Sequence, residues 1–570
     1  MRSSIQNIYT KCRASVGIED PESLKPGESR GNLLETLDNA TLSWYHIKAV
    51  LVGGLGFFTV SYSLFNVGLV TKLIGYIYYE GSMPLGASSA ISSVALCGTL
   101  AGQIFFGFAA DRFGRKPVYF FCLSIMVLAS LCSGISFGRS PQAVVASLCF
   151  WRFFLGFGAG GDYPITATFV AEYSNKSHRG AFVAALFAMQ GLGILAGTAV
   201  VIIFSKAFKN IAENPENADY LWRYVLMLGA IPSGLTLYAR FRFPETPRYT
   251  LCVLHDIATV EADMVKVTGI KHTPASYATI KQKKFVWTRP AIIKLLGCGA
   301  AWFLLDIAFY SQNLFQADVY TNIGWVPNIK VFWPQLSPDF LVGDFSKTCS
   351  SAGVQSGAFP FAVAGKASCP TNKYMCTNDK KNCWMTPLDQ AYLGARAQAI
   401  IALGSVIPGY WFTVFTIEKM GRWNIQMMGF FFMTTFMAFL AGFYDYFLRH
   451  IEGYVIMYAF TFFFANWGPN ATTFIIPAEI FPTSVRASAH GMCAAMGKMG
   501  AIVGAFGFQY ASQDPTSAGT LATYGKPVGV GILKTLGILA AVNFLGMVVT
   551  ILFVPDVPLD SSLEEVTDEM

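Results

Sequence analysis

Apolar stretches long enough to cross a membrane as helices, about 20 residues each, recur along most of the chain. This feature limits the fold more than any other. Hydrophobic residues make up 53% of the 570, whereas Asp, Glu, Lys and Arg together make up only 13%, too few to cover the surface of a soluble domain of this length. Because a helix satisfies its backbone hydrogen bonds internally, the sequence predicts an all-α polytopic membrane protein.

The spacing of these stretches predicts twelve transmembrane helices. Their ranges are 47–70, 87–109, 118–137, 142–171, 181–204, 222–243, 293–315, 392–415, 424–445, 452–476, 487–510 and 530–554. The predicted domains are an N-terminal segment 1–46, a first six-helix half 47–243, a linker 244–292, a second half 293–554 with a long loop 316–391, and an acidic tail 555–570.

Basic residues predict which side of the membrane each loop occupies, since cytoplasmic loops carry an excess of Lys and Arg. Arg112 and Lys116 follow the second predicted helix, Lys419 follows the eighth, and the 244–292 linker is also basic. Both termini and the linker are therefore expected in the cytoplasm. No removable signal peptide is predicted, and the net charge of +7 is assigned to membrane topology rather than to nucleic-acid binding.

Two motifs recur at one offset. Asp111-Arg112-Phe113-Gly114-Arg115 recurs 307 positions later as Glu418-Lys419-Met420-Gly421-Arg422. At the same offset, Gly161, Thr166, Ala171, Glu172 and Arg179 recur as Gly468, Thr473, Ala478, Glu479 and Arg486. A shared offset indicates that a six-helix unit was duplicated, and parallel repeats of this kind place a substrate site between the halves, near the bilayer midplane.

The repeated acid–glycine–arginine turns allow two interpretations. They could cap helix ends and establish topology, or Asp111 and Glu418 could pair with basic residues across the cytoplasmic face and lock one conformation. We favour the second interpretation because both copies keep the acid and the arginine. The predicted gating residues are Asp111, Arg115, Glu172, Arg179, Glu418, Arg422, Glu479 and Arg486.

Three ionisable residues lie deep inside predicted helices, where charge is costly and usually functional. Asp162 is about 14 Å and Lys498 about 18 Å from the nearer helix end at 1.5 Å per residue, and Asp306 is near mid-depth. Polar and aromatic residues reach the same level from both halves: Tyr163, Gln190, Trp302, Tyr310 and Asn470. We therefore predict one binding site built from both halves.

The chemistry of this set fits a protonated oxyanion. Lys498 supplies positive charge, and the uncharged members supply hydrogen-bond donors. Asp162 and Asp306 would repel a bare anion but can accept hydrogen bonds from the P–OH groups of a protonated phosphate, which a deprotonated sulfate lacks. Carboxyl groups inside a membrane also serve as proton carriers.

Several of these residues also have a structural interpretation. Trp302 and Tyr163 could simply pack, and Gln190 could form an interhelical hydrogen bond. Snorkelling of Lys498 to the membrane surface is a third possibility, although its depth is large for that. For Arg152, structural pairing and guidance of an anion are equally open.

Longer stretches around these residues match a known family. They include Gly160-Gly161-Asp162-Tyr163-Pro164, Phe187-Ala188-Met189-Gln190-Gly191, Tyr310-Ser311-Gln312-Asn313-Leu314-Phe315-Gln316, Phe464-Ala465-Asn466-Trp467-Gly468-Pro469-Asn470, Pro477-Ala478-Glu479-Ile480-Phe481-Pro482 and Gly497-Lys498. From about residue 48 onward the chain resembles the phosphate:proton symporter family of the major facilitator superfamily, in particular its plant and fungal members.

This resemblance implies the major facilitator fold, with inorganic phosphate and protons as partners. It implies a phosphate site lined by Tyr163, Gln190, Trp302, Asp306, Tyr310, Asn470 and Lys498. It also implies proton transfer at Asp162, to which we add Asp306 as a second candidate proton carrier.

Helix 1 departs from the family pattern. Members usually read Phe-Phe-Thr-Asp-Ala-Tyr-Asp-Leu-Phe, whereas this chain has Val60 and Ser63 in place of the two acids. Proton coupling therefore does not follow automatically from the resemblance. Either Asp162 and Asp306 suffice for coupling, or the carrier is uncoupled, altered or driven by another cation.

The long loop at 316–391 is predicted to be extracellular and contains Cys349, Cys369, Cys376 and Cys383. An exterior location favours two disulfides, for which three pairings are possible. A metal site is the less favoured interpretation because the spacing does not match a common zinc motif. No metal and no cofactor is predicted.

The leading functional hypothesis is secondary active phosphate transport by alternating access, in the plasma membrane. The alternatives are an uncoupled or effluxing carrier of phosphate or a related organic phosphate or anion, and a non-transporting phosphate sensor. Both gating motifs are present, which counts against the sensor. An enzyme is not expected, because no nucleotide-binding loop, metal-ligand cluster or supported nucleophile–base pair is found. The oligomeric state is left open.

Overall fold

The structure, a computed structural model, describes residues 44–79, 83–208, 215–241, 244–254, 285–326, 375–376, 383–384, 387–511, 530–558 and 563. The first six spans are α1 (Trp44–Phe65 and Val67–Tyr78), α2 (Leu85–Phe113), α3 (Arg115–Gly134), α4 (Pro141–Tyr173), α5 (Arg179–Ala207) and α6 (Pro215–Met227 and Ala230–Phe241). The next six are α7 (Arg289–Leu314 and Gln316–Asn322), α8 (Pro387–Ile401, Ala402–Val406 and Ile407–Met420), α9 (Arg422–Gly442), α10 (Ile451–Asn466 and Pro469–Ile480), α11 (Arg486–Ala511) and α12 (Ile532–Phe553). These spans follow the order predicted from the sequence.

Short elements lie between the spans. The helical ones are Lys176–His178, Pro247–Tyr249, Thr250–Leu254 and Tyr444–Arg449. Strands β1 (Met375–Cys376) and β2 (Cys383–Trp384) form an antiparallel pair in which Cys376 lies opposite Cys383. The other two cysteines of the predicted disulfide set, Cys349 and Cys369, lie outside the described residues, and the disulfides stay a prediction.

Ten of the described helices are long and apolar enough to cross a membrane, judged by length and composition. The two remaining spans, α6 and α10, are interrupted. In α10 the break falls at Trp467 and Gly468, directly before Pro469, whose missing N–H cannot continue the helical ladder. α1 extends beyond the predicted residue 70, and Lys72 and Tyr76 on this extension have side chains that contact the opposite half.

Large apolar side chains cover the outer surface of the bundle. Phe415 is 68% exposed and Leu552 is 64% exposed, which fits helices surrounded by lipid rather than water. The polar and charged side chains of the predicted binding site lie instead in the interior. The protein is thus an all-α multi-pass membrane protein.

The two halves meet along two helix pairs. α2 packs against α11, and α5 packs against α8. By the offset of 307 positions, α8 is the repeat of α2 and α11 is the repeat of α5, so the two contacts are equivalent to each other. The interior between these pairs is where side chains from both halves can meet.

The helical bundle has two ends. The linker end is where α2 joins α3, α4 joins α5, α8 joins α9 and α10 joins α11; residues 244–254 also lie there. The far end is the opposite one, where α1 ends and α8 begins.

Candidate functional site

A buried lysine lies at the centre of the candidate site. Lys498 is 2% exposed, and its Nζ atom donates hydrogen bonds to Asp306 Oδ2 and to the Tyr310 hydroxyl, both at 2.9 Å. The same Nζ lies 5.1 Å from the ring centroid of Tyr163 and 4.4 Å from that of Tyr310. We call Lys498, Asp306, Tyr310 and Tyr163 the lysine cluster.

The helices explain why these four side chains meet. Asp306 and Tyr310 are four residues apart on α7, so they share one face of that helix. α7 packs along α11, which brings Lys498 opposite them. Tyr163 comes from α4 of the first half, and its 2% exposure shows that the cluster is enclosed by both halves.

A second polar group lies beside the lysine cluster. The Tyr410 hydroxyl donates to Gln190 Oε1 at 3.2 Å and accepts from Asn470 Nδ2 at 2.8 Å. Asn470 Nδ2 also donates to Asn466 Oδ1 at 2.7 Å. Gln190 belongs to the first half and the other three belong to the second. We call Gln190, Tyr410, Asn470 and Asn466 the amide chain. The amide chain links the two halves at the level of the site.

Aromatic rings join the lysine cluster to the amide chain. The ring centroid of Phe474 lies 6.3 Å from that of Tyr163, 6.2 Å from that of Trp302 and 4.7 Å from that of Phe187. Phe187 in turn lies 5.8 Å from Tyr410, edge to face. Trp302 therefore belongs to the aromatic wall of the site, one turn from Asp306.

Asp162 points away from the lysine cluster, although Tyr163 is its neighbour in sequence. Successive residues of a helix point about 100° apart. Asp162 Oδ1 accepts a hydrogen bond from Thr166 at 2.7 Å, while its Oδ2 is buried with no hydrogen-bond partner among the described residues. A Cβ atom on Gly56 would lie 2.5 Å from that Oδ2 and 2.8 Å from the Tyr119 hydroxyl, so only glycine fits there.

Arg152 lies at the point where helix 1 lacks an acid. Its Nη1 and Nη2 atoms are each 3.4 Å from the backbone oxygen of Ser63, and its Nε has no partner in the part of the chain that the structure describes. The side chain is 1% exposed. Its observed partner is thus a backbone carbonyl at long range, with no salt bridge among the described residues.

The repeated motifs form two matching ion-pair networks at the linker end. Arg115 lies 3.4 Å from Asp111 and 3.0 Å from Glu172. Arg422 lies 2.7 Å from Glu418 and 2.9 Å from Glu479, which are the residues 307 positions later. The glycines between acid and arginine, Gly114 and Gly421, have φ values of +96° and +82°, a backbone conformation that favours glycine.

The acids of these motifs also reach across to the opposite half. Asp111 accepts hydrogen bonds from the backbone N–H groups of Ala487 and Ser488, at 3.2 and 2.7 Å. Glu418 accepts one from Ala181 N at 3.0 Å. Ala181 and Ser488 are 307 positions apart, each the third residue of its helix, where free N–H groups favour an acid.

This arrangement corrects one expectation. Asp111 and Glu418 were predicted to pair with basic residues across the cytoplasmic face. In the described residues each pairs with the arginine of its own motif and meets the other half through backbone N–H groups, with the Ser488 hydroxyl as a further donor to Asp111. The cross-half pairing of charged side chains is instead made by Arg486, whose Nη1 lies 3.3 Å from Glu172. Arg179 is buried at the same end.

Other contacts close the far end. Lys72 of α1 lies 3.0 Å from Asp318 of α7, and Ser89 of α2 donates to Gln509 of α11 at 2.6 Å. Tyr76 of α1 donates to Gln390 of α8. Because both ends are bridged, the lysine cluster and the amide chain are enclosed.

A family model described as "Sugar (and other) transporter" matches residues 49–285 and 389–568. The chain belongs to this family. Low affinity inorganic phosphate transporter 1 of Petunia hybrida is 45% identical over 94% of this chain and 95% of that relative. Inorganic phosphate transporter 1-2 of Oryza sativa is 45% identical over 95% of this chain and 97% of that relative.

Two solved structures match nearly the whole chain and share its fold. The major facilitator superfamily proton:xylose symporter XylE, bound to 6-bromo-6-deoxy-D-glucose, matches with a TM-score of 0.62 at 15% identity, over 92% of this chain and 99% of that one. XylE of E. coli in a partially occluded inward-open conformation matches with a TM-score of 0.57 at 16% identity, over 90% and 99%. This member of the transporter family therefore has the major facilitator fold, and its described residues form the spans α1 to α12.

Sequence reasoning missed some residues of this transporter's interior. Tyr410 bridges Gln190 and Asn470, yet it was not singled out. A signal was available, because Tyr410 lies twelve residues before Arg422 just as Lys498 lies twelve residues after Arg486, which places both at the same depth. For the Tyr119 hydroxyl beside Asp162 the sequence carried no comparable signal, since the contact depends on how α3 packs against α4.

Proposed function

We propose that this protein is a secondary active transporter that carries inorganic phosphate together with protons by alternating access. The observation that carries the proposal is the Lys498–Asp306 ion pair, 2.9 Å long, enclosed at the meeting point of the two halves. Relatives named inorganic phosphate transporters, 45% identical over nearly the whole chain, support the substrate. The proposed transport role includes no enzymatic activity.

The lysine cluster suits a phosphate that still carries protons. Lys498 provides a cation, which strengthens its hydrogen bonds to an oxyanion. The hydroxyls of Tyr163 and Tyr310 can donate to further oxygens. Asp306 can accept from a P–OH group, which a sulfate dianion does not have. In this arrangement phosphate is preferred over sulfate because of Asp306 rather than because of Lys498.

Charge balance links phosphate to a proton. The empty lysine cluster is neutral, with one cation and one carboxylate, and adding a phosphate anion to it would leave a net buried charge. A proton shared between Asp306 and a phosphate oxygen restores neutrality. The proton and the anion are then favoured together, which is the basis of symport. Asp162 has an unpartnered Oδ2 and serves in this proposal as a separate proton carrier.

Alternating access requires each end to open in turn. Opening the linker end breaks the contacts of Asp111 and Glu418 with the opposite half, and opening the far end breaks those of Lys72 and Tyr76. The amide chain lies at the level about which the halves rock. Because Tyr410 links Gln190 with Asn470, movement of one half changes donors offered to the substrate.

We propose that the linker end faces the cytoplasm, together with both termini, and that the protein resides in the plasma membrane. The excess of Lys and Arg in the connections at that end supports this orientation. By the same assignment the 316–391 loop is extracellular, 244–292 is a cytoplasmic linker, and 555–570 is a cytoplasmic tail.

Phosphate binding to the purified protein tests the substrate assignment. Radiolabelled phosphate should bind and should be displaced by unlabelled phosphate but not by sulfate. Lys498→Met should weaken the binding about 10- to 150-fold, whereas Lys294→Met, which removes another lysine of the second half, should leave it intact. An unchanged phosphate affinity in Lys498→Met, or equal displacement by sulfate, would remove the lysine cluster from phosphate recognition.

A second candidate function is uncoupled phosphate movement. Val60 and Ser63 stand where the resembling family has acids, and Arg152 lacks a carboxylate partner among the described residues. If helix 1 acids are what couples the proton, the double variant Val60→Asp/Ser63→Asp should gain a steeper pH dependence of uptake. An unchanged pH profile would leave coupling to Asp306 and Asp162.

A further inference from the structure

A cavity of about 290 Å³ opens at the linker end between α3 and α6, apart from the lysine cluster. Its lining includes Lys116, Tyr119, Phe120, Phe169, Arg240 and Phe241. These side chains form an apolar pocket with two cationic groups at its end, a composition suited to an amphipathic anion. The Tyr119 hydroxyl lies beside Asp162, but the proposed transport cycle places no phosphate in this cavity.

Arg240 is a buried cation that lines this cavity. It is 6% exposed, and its Nε and Nη2 atoms are buried with no hydrogen-bond partner among the residues described. Its guanidinium is held between aromatic faces, 4.2 Å from the ring centroid of Tyr119 and 3.7 Å from that of Phe169. Aromatic faces stabilise a guanidinium but leave its N–H donors unused, so an anion entering the cavity would find them available.

Arg115, which also lines the cavity, differs from Arg240. Its charge is matched by Asp111 and Glu172, whereas no salt bridge to Arg240 occurs in the described part of the chain. Lys116 is exposed at the start of α3, at the mouth of the cavity. Arg240 and Lys116 therefore place two cations at this cavity without a salt bridge among the described residues, although the buried Asp162 carboxylate is near enough to Arg240 to interact with it electrostatically.

The outer edge of the cavity faces lipid. Phe120 is 44% exposed and Phe241 is 67% exposed, and their ring centroids lie 6.1 Å apart. Both rings lie within two turns of the linker-end terminus of their helices, near the level where hydrocarbon gives way to headgroups in a helix that spans the bilayer. An occupant is thus offered apolar contact on the membrane side and cations on the inner side.

We propose that this cavity binds the headgroup phosphate of an anionic phospholipid, with Arg240 and Lys116 as its cationic contacts and Phe120 and Phe241 against an acyl chain. Basic pockets between helices on the cytoplasmic side are suited to such headgroups. The charge is not inherited from the repeat. At the ends of α6 and α12 the two halves can be aligned, because Pro244-Glu245-Thr246-Pro247 matches Pro555-Asp556-Val557-Pro558. In this alignment Ile551 is the equivalent of Arg240, and by the offset of 307 positions Trp423 is the equivalent of Lys116.

Native mass spectrometry of the full chain, released from nanodiscs of phosphatidylcholine with phosphatidylglycerol, tests the proposal. The wild type should retain phosphatidylglycerol in preference to phosphatidylcholine. Arg240→Gln and, separately, the exposed Lys116→Gln should each reduce that preference about fivefold, the effect of one cation near an anionic surface. Lys419→Gln, an exposed lysine at the same end of the other half, serves as the control and should change nothing.

Three outcomes would overturn the proposal. The first is an unchanged lipid preference in both Arg240→Gln and Lys116→Gln. The second is an equal loss in Lys419→Gln, which would mean that the surface charge of this end acts as a whole. The third is displacement of phosphatidylglycerol by millimolar inorganic phosphate, which would make the pocket a site for the free anion. Lys116 is exposed, so its variant keeps the test valid if Arg240→Gln fails to fold.

Discussion

Neutralising the two charges of the lysine cluster, one at a time and together, gives the sharpest prediction about the interior. At the 2.9 Å separation of Lys498 and Asp306, an effective dielectric constant of 20 gives an attraction of about 6 kcal/mol. Removing one partner of a buried pair costs about 3–5 kcal/mol, because the other charge is left uncompensated. Lys498→Met and Asp306→Asn should therefore each be strongly destabilising, whereas the double variant should be less destabilised than the two single effects added together.

The assay is thermal unfolding of the purified protein in detergent without phosphate. For a chain of this length each kcal/mol corresponds to a Tm shift of about 1 °C, so each single variant should lose roughly 3–5 °C. The double variant should recover several degrees relative to the sum of the single shifts. Additive shifts would show that the two side chains do not interact energetically, which would refute the assignment of a neutral ion pair to the empty site.

The same variants separate the two roles in binding. Losing the charge-assisted hydrogen bonds of Lys498 should weaken phosphate binding by about 10- to 150-fold, corresponding to about 1.5–3 kcal/mol. Asp306→Asn removes the shared proton instead. It should flatten the pH dependence of phosphate affinity and reduce the preference for phosphate over sulfate. A pH profile like that of the wild type would take Asp306 out of proton coupling.

Three further predictions concern other parts of the chain. Ser63→Asp should raise the Tm by giving Arg152 a carboxylate, and Ser63→Asn should not; equal Tm values would show that the carboxylate does not reach the guanidinium. Asp111→Ala should shift the protein toward opening at the linker end, seen as faster labelling of cysteines introduced there; unchanged labelling would exclude a gating role. Because Cys376 lies opposite Cys383 in the strand pair, mass mapping should find this disulfide, and a bridge from either residue to another cysteine would contradict it.

Much of the interior was predictable because charge inside a membrane is rare and the repeat is regular. Lys498 and Asp306 were singled out by depth alone, and the structure brings them within 2.9 Å of each other. Residues 307 positions apart also form equivalent ion pairs in the structure, Arg115 with Glu172 and Arg422 with Glu479. In these cases position along a helix is sufficient, since a fixed rise per residue converts sequence into depth.

Direction around a helix was harder to predict than depth. Asp162 and Tyr163 are adjacent and equally deep, yet only Tyr163 faces Lys498, while Asp162 faces Gly56. Which of two neighbours points inward depends on the packing of α1, α3 and α4 against one another. The partners of Asp111 were also unpredictable, because backbone N–H groups at a helix start carry no residue-type signal.

Proton-driven accumulation of phosphate by proteoliposomes tests the central claim most directly. Labelled phosphate uptake would be measured with an acidic exterior, without a gradient, and with a sodium gradient as control. We expect accumulation above equilibrium only with the proton gradient, and loss of that accumulation in Asp306→Asn. Equilibration without accumulation would contradict coupling and favour the uncoupled carrier, and absence of phosphate uptake under all three conditions would contradict the substrate itself.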